Sequence, residues 1–127
     1  IENFSISELV DNCLAKNLNK TINILNENIF NSEDSIIILR TFHHKLKRIQ
    51  RIMEDFIENG NLEKSISNVK PPIFWKDKDI VKQQLKSWKI DEIKQLIFDI
   101  NDIEYKAKKN LNNSIYLATD LILDKAS

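Results

Sequence analysis

Apolar residues recur three and four positions apart along nearly all of this 127-residue chain, and one stiff aromatic corner interrupts the pattern. That spacing puts them on one face of successive α-helices. Near the start, Ser5-Ile6-Ser7-Glu8 reads as a capping box, with Phe4 and Leu9 placed to staple across it. Ile6, Leu9, Val10, Cys13 and Leu14 give the first helix its apolar face, which ends near Asn17, a residue suited to a left-handed C-cap. A short second helix carries Leu18, Ile22, Leu25 and Ile29, and it forms a hairpin with a longer one after Asn31-Ser32. In that third helix, Ser32 to Glu58, the residues Leu39, Phe42, Leu46, Ile49, Met53 and Phe56 make a continuous seam, and Gly60 closes it as a C′ glycine. A seam of that length needs a partner surface. Further apolar helices exist to cover it, so the third helix is expected at the centre of the domain rather than as a coiled-coil arm.

Leu62 to Val69 has room for two helical turns before Lys70-Pro71-Pro72, where the double proline drives the backbone out of the α region. Ile73, Phe74 and Trp75 then present bulky apolar surface, and Ile80, Val81, Gln84, Leu85 and Trp88 continue that face at helical spacing. Ile90, Ile93, Leu96, Ile97, Ile100 and Ile103 build a long sixth helix. A closing helix from about Asn113 turns Ile115, Ala118, Leu121 and Ile122 inward. The pattern predicts an all-α single domain of about six to seven helices.

Composition supports that economy. With one glycine and two prolines, the chain lacks the turn chemistry that a sheet protein needs every ten residues or so. At this length folding buries roughly 70% of the unfolded surface, enough for one core. Lys and Arg together number 19 against 19 Asp and Glu, so no global field gathers nucleic acid or anionic lipid, and such binding requires a local patch. Cys13 is the only cysteine, which rules out an intrachain disulfide. No apolar run reaches the roughly 20 residues that span a bilayer. A cytoplasmic protein is expected. The chain begins Ile1-Glu2-Asn3 rather than on a methionine and reads as a piece of a longer one. Abundant Ile, Asn and Lys, with only three arginines, read as the codon usage of an AT-rich genome, and the asparagines are given little weight.

Candidate chemistry is sparse. Between Arg40 and Arg51 the third helix carries His43, His44, Lys45, Lys47 and Arg48 with no acid among them, a basic patch (His44, Lys45, Lys47, Arg48, Arg51) that reads first as a solvated face and second as a phosphate contact. His43 and His44 point about 100° apart on a helix and make a poor metal pair. Asp91, Glu92, Asp99, Asp102 and Glu104 lie among lysines and read as surface charge; Asp99 and Asp102 share a face that also suits a divalent cation. Cys13 sits on the apolar face of the first helix and reads as a core residue rather than a nucleophile. A single glycine excludes a phosphate-binding loop. No catalytic, cofactor or metal residue is assigned.

The corner Lys70-Pro71-Pro72-Ile73-Phe74-Trp75-Lys76, the following helix with Gln84-Leu85 and Ser87-Trp88, and Asp102-Ile103-Glu104 with Lys108 resemble the carboxy-terminal domain of the delta subunit of bacterial DNA polymerase III. The family carries a similar Pro-Pro-Ile-Phe-Phe-Lys corner; here Trp75 stands at the second aromatic. The resemblance covers essentially all 127 residues, about the last third of a delta subunit, and its motifs are structural. It implies a helical collar domain that packs beside the equivalent domains of the delta-prime and tau/gamma subunits in the clamp loader. In that family the amino-terminal clamp-binding and AAA+-like domains open the beta sliding clamp for loading on primed DNA during replication. The resemblance implies a parent that is a subunit of a DNA-directed DNA polymerase holoenzyme, a nucleotidyltransferase whose polymerase and ATPase sites lie on other subunits. A non-catalytic assembly domain without cofactor is therefore expected. Its partner-interface candidates are Ile73, Phe74, Trp75 and Trp88, set against the simpler reading that they are internal core. The alternatives are a small DNA-binding domain, helix-turn-helix-like with Lys76, Lys78, Lys82, Lys86 and Lys89 on its second helix, and a coiled-coil-like module on the third helix.

Overall fold

The computed structural model describes residues 3–127, and Ile1 and Glu2 lie outside them. The described residues fold as seven α-helices: α1 (Phe4–Leu14), α2 (Leu18–Glu27), α3 (Ser32–Asn59), α4 (Leu62–Asn68), α5 (Lys78–Ser87), α6 (Ile90–Lys109) and α7 (Leu111–Ala126). A 3₁₀ turn, Trp75–Asp77, leads into α5, and the described residues contain no strand. The all-α expectation holds, as does the central place of α3.

Asparagines start four of these helices. Asn3, Asn17, Asn31 and Asn61 each occupy the N-cap, and each side chain accepts a hydrogen bond from a backbone N–H in the first turn. At Asn31 the arrangement is reciprocal, because Asp34 also accepts from the Asn31 N–H at 2.9 Å. Residues attributed to codon usage are thus structural. The capping box expected at Ser5 does not form; a simple N-cap at Asn3 starts the helix two residues earlier. Asn3 is an equally good cap, and one turn started at Asn3 places Ser5 inside the helix, where it has no orphan N–H to accept. Phe4 is 76% exposed and staples nothing.

The end of α1 departs from expectation by one residue. Lys16, not Asn17, takes the left-handed conformation (φ 56°), with Lys16 N–H donating to Cys13 O and Asn17 N–H to Asn12 O, both at 3.0 Å. Asn17 is needed as the cap of α2. At the end of α3, Gly60 adopts φ 70° as expected, and its N–H donates to Phe56 O.

The core lies between α3 and a layer formed by α1, α6 and α7. Phe42, Leu39, Leu46 and Ile49 of α3 are fully enclosed by Leu9, Val10, Cys13 and Leu14 of α1, Ile93, Leu96 and Ile100 of α6, and Ile122 of α7. At about 25 cal/mol per Å² of apolar surface, each such side chain contributes about 2 kcal/mol. α3 packs most extensively on α6 and α7, so its seam is consumed within the domain and presents no stripe to a coiled-coil partner. The seam ends one residue early, because Phe56 lies 41% exposed past the last helix that covers it. In α2 the stripe is also rotated. Thr21 and Ile24 are buried against α1 and α7, whereas Ile22 and Ile29 are exposed, Ile29 because the helix stops at Glu27. A smaller cluster, Ile52, Ile66, Val69, Ile73 and Val81, fastens α4, the corner and α5 to the far end of α3.

Candidate functional site

The corner between α4 and α5 carries the exposed aromatics, and its position is set by how α5 docks. Val81 and Gln84 are the buried residues of α5, and a helix with so little apolar surface needs another fastening. Polar donors supply it. Trp88 Nε1–H donates to Leu14 O at 2.7 Å, Gln83 to Ala15 O at 3.1 Å and Gln84 to Asp11 O at 2.9 Å. The Leu14 and Ala15 carbonyls lie at the end of α1, where no helical N–H follows, so α5 and Trp88 serve as its C-terminal cap. The Lys16 ammonium stands 4.3 Å from the centre of the Trp88 ring and covers its outer face.

A charged pair lies beneath this contact. Lys45 Nζ of α3 is 2.8 Å from Asp11 Oδ1 of α1 and donates to Ser7 Oγ at 2.9 Å. Gln84 also donates to Asp11 Oδ1 at 3.2 Å. The side chains of Lys45 and Asp11 are only 14% and 10% exposed, so the pair is held largely out of water and ties α1, α3 and α5 together.

Over the network opens a cleft of about 660 Å³, walled by Phe4, Ser7, Asp11 and Asn12 on α1 and by Phe74, Asp77 and Ile80 on the other side. Phe74 and Trp75 stand beside it, 57% and 69% exposed, their ring centres 5.9 Å apart. Lys76 reaches over Trp75 at 5.4 Å. Phe74 and Trp75 thus form a contiguous exposed apolar surface on this corner.

The four residues singled out for an interface therefore divide. Ile73 is buried in the small cluster and anchors the corner, and Trp88 is half-buried as a cap. Only Phe74 and Trp75 face outward. The basic patch is likewise divided: His44, Lys47 and Arg51 are exposed and Arg48 half-buried on the outer face of α3, but Lys45 turns inward to Asp11 and leaves the patch. Its register gave the signal, since Lys45 lies three residues after Phe42 and four before Ile49, on the seam itself. Gln84 was similarly legible as the polar member of an apolar face. Asp11 was missed, because nothing local marks an acid on the first helix as the partner of a lysine 34 positions away.

Other polar candidates are absorbed by their neighbours. Asp99 accepts from Gln95 at 2.9 Å, Asp102 pairs with Lys106 at 2.9 Å, and Glu104 pairs with Lys108 at 2.8 Å as its spacing predicts. Arg40 lies 3.9 Å from the same Glu104. On α5, Lys82 pairs with Glu63 of α4 at 2.7 Å; this contact lowers the Glu63 carboxyl from its ordinary range and raises the Lys82 ammonium. Cys13 is enclosed, its Sγ 3.4 Å from Ile122 O, and burial pushes the thiol up to about 12, against the weaker opposing pull of Lys125 and Lys16. A thiol held neutral to that degree is no nucleophile at physiological pH. No helix among the described residues is long and apolar enough to cross a membrane. No family model, no curated protein and no solved structure matches the chain.

Proposed function

We propose that this chain is a non-catalytic assembly domain of the collar type, from a DNA polymerase III delta subunit, which packs with delta-prime and tau/gamma in a cytoplasmic clamp loader. One observation carries the reading. The corner that bears the family resemblance, Pro71 to Lys76, exposes Phe74 and Trp75 side by side while Ile73 and the α5 donors hold it rigidly to α1 and α3. Two exposed aromatics on a fixed support suit the centre of a protein interface, where large rings contribute most of the energy. Contact with the beta clamp and primed DNA in loading belongs, in this reading, to the rest of the delta chain and its complex.

Light scattering behind size exclusion tests it, using the chain alone and mixed with the carboxy-terminal domains of delta-prime and tau/gamma from the same bacterium. The expected result is a monomer that enters a mixed complex of defined mass, with Phe74→Ser/Trp75→Ser weakening that complex at least tenfold while leaving the fold intact. No mixed complex at tens of micromolar, or a stable homodimer in its place, would overturn the proposal.

A further inference from the structure

The three arginines of this chain, Arg40, Arg48 and Arg51, all lie on one helix and on one side of it, although lysine is the usual cation elsewhere. With Phe42 facing the core, Arg40, His44, Lys47, Arg48 and Arg51 fall within about 60° of the opposite direction, at 100° per residue. They span about three turns over a rise of about 16 Å. Glu33 precedes this stretch on the same side and Asp55 and Glu58 follow it, so the cationic block has defined ends. Among the described residues Lys47, Arg48 and Arg51 take part in no ion pair. Arg40 lies 3.9 Å from Glu104 at the edge of this face, whereas Lys45, held at 2.8 Å by Asp11, points away from it.

We propose that this outer face of α3 contacts the phosphate backbone of a nucleic acid without reading its sequence. Guanidinium groups present a planar fork that matches phosphate oxygens two at a time, which an ammonium does not, so a face that gathers all the arginines is chemically distinct from the lysine-rich remainder. The alternative of a protein partner fits less well. Between Arg40 and Arg51 no large apolar side chain is exposed, whereas the centres of protein interfaces are depleted in charge and anchored by rings. Bilayer insertion lacks an anchor for the same reason. The zero net charge means the block acts locally, so binding is weak and falls steeply with salt. This inference goes beyond collar assembly and does not depend on it.

Fluorescence anisotropy with labelled 20-nucleotide single strands and duplexes of mixed sequence, titrated with the whole chain from 50 to 200 mM salt, is the test. Four phosphate contacts give a slope of log affinity against log salt of about −3. Lys47→Gln/Arg48→Gln/Arg51→Gln is expected to bring the slope to about −1 and to cost at least tenfold in affinity at 50 mM salt. Lys20→Gln/Lys64→Gln/Lys94→Gln removes the same charge from exposed positions elsewhere and is expected to keep the slope. Circular dichroism checks that both variants remain folded. The proposal is overturned if no binding is measurable at 50 mM salt, if both triple variants lose equally, or if the α3 variant loses binding only to phosphatidylserine vesicles.

Discussion

The Lys45–Asp11 pair offers the sharpest test of how this bundle is held together. At 2.8 Å and an effective dielectric constant near 20, the bare attraction is about 6 kcal/mol, most of which offsets the cost of drawing both charges out of water. Replacing Lys45 with methionine keeps the stem and removes the charge. Asp11 is then left with Gln84 as its one side-chain donor, on a short side chain that is largely out of water, and the expected cost is about 3 kcal/mol. Asp11→Leu is expected to cost less, about 2 kcal/mol, because a stranded lysine can extend its flexible stem toward solvent. The double variant Asp11→Leu/Lys45→Met removes both charges and is expected within about 1 kcal/mol of the parent, since Gln84 still donates to the Asp11 position's backbone oxygen. Urea unfolding followed by circular dichroism measures all four proteins, and for 127 residues the Lys45→Met loss corresponds to a fall in Tm of about 11 °C. If Lys45→Met costs less than about 1 kcal/mol, the range of exposed ion pairs, or if the two single costs simply add, the two charges are not coupled as a buried pair.

Two further outcomes follow from the same contacts. Trp88→Phe keeps the ring and deletes the indole N–H, so the Leu14 carbonyl loses its donor and stability falls by about 1 kcal/mol, whereas Trp75→Phe changes it by less than about 0.5 kcal/mol; urea titration of both variants checks this. For Cys13, a thiol whose pKa is raised from 9.0 to about 12 on folding binds its proton more tightly in the native state. Its contribution is therefore undiminished below pH 9 and is lost as pH rises from 9 toward 12, by at most about 1.4 kcal/mol per pH unit. In the native protein it should stay unlabelled by iodoacetamide at pH 9 over hours and react at once in urea. Rapid labelling of the folded chain would contradict its burial.

The helices themselves were legible because their signals are local. The three-and-four spacing in α3 follows from helical geometry, and Gly60 ends that helix because a left-handed residue without a Cβ costs least. The caps were legible only in kind. Asn3 and Ser5 are both good N-caps two positions apart, and the choice between them rests on small differences that one sequence does not display. The corner was visible as a corner, since a double proline is incompatible with a continuing helix. Which of its rings face outward was not visible, because Ile73, Phe74 and Trp75 are all apolar and only the position of α4 and α5 decides which finds a pocket.

By itself, then, the sequence determined an all-helical chain with a central third helix, a capped start, a glycine stop and an aromatic corner, all set by interactions within a few residues. Tertiary structure alone decided the partnerships: Trp88 as a cap for α1 from 74 residues away, Lys45 withdrawn from the basic face by Asp11, and the arginines left together on the open side of α3. The physical reason is that a side chain's chemistry is inherited from its sequence, while the burial, field and geometry that give it a role depend on helices brought together by the core.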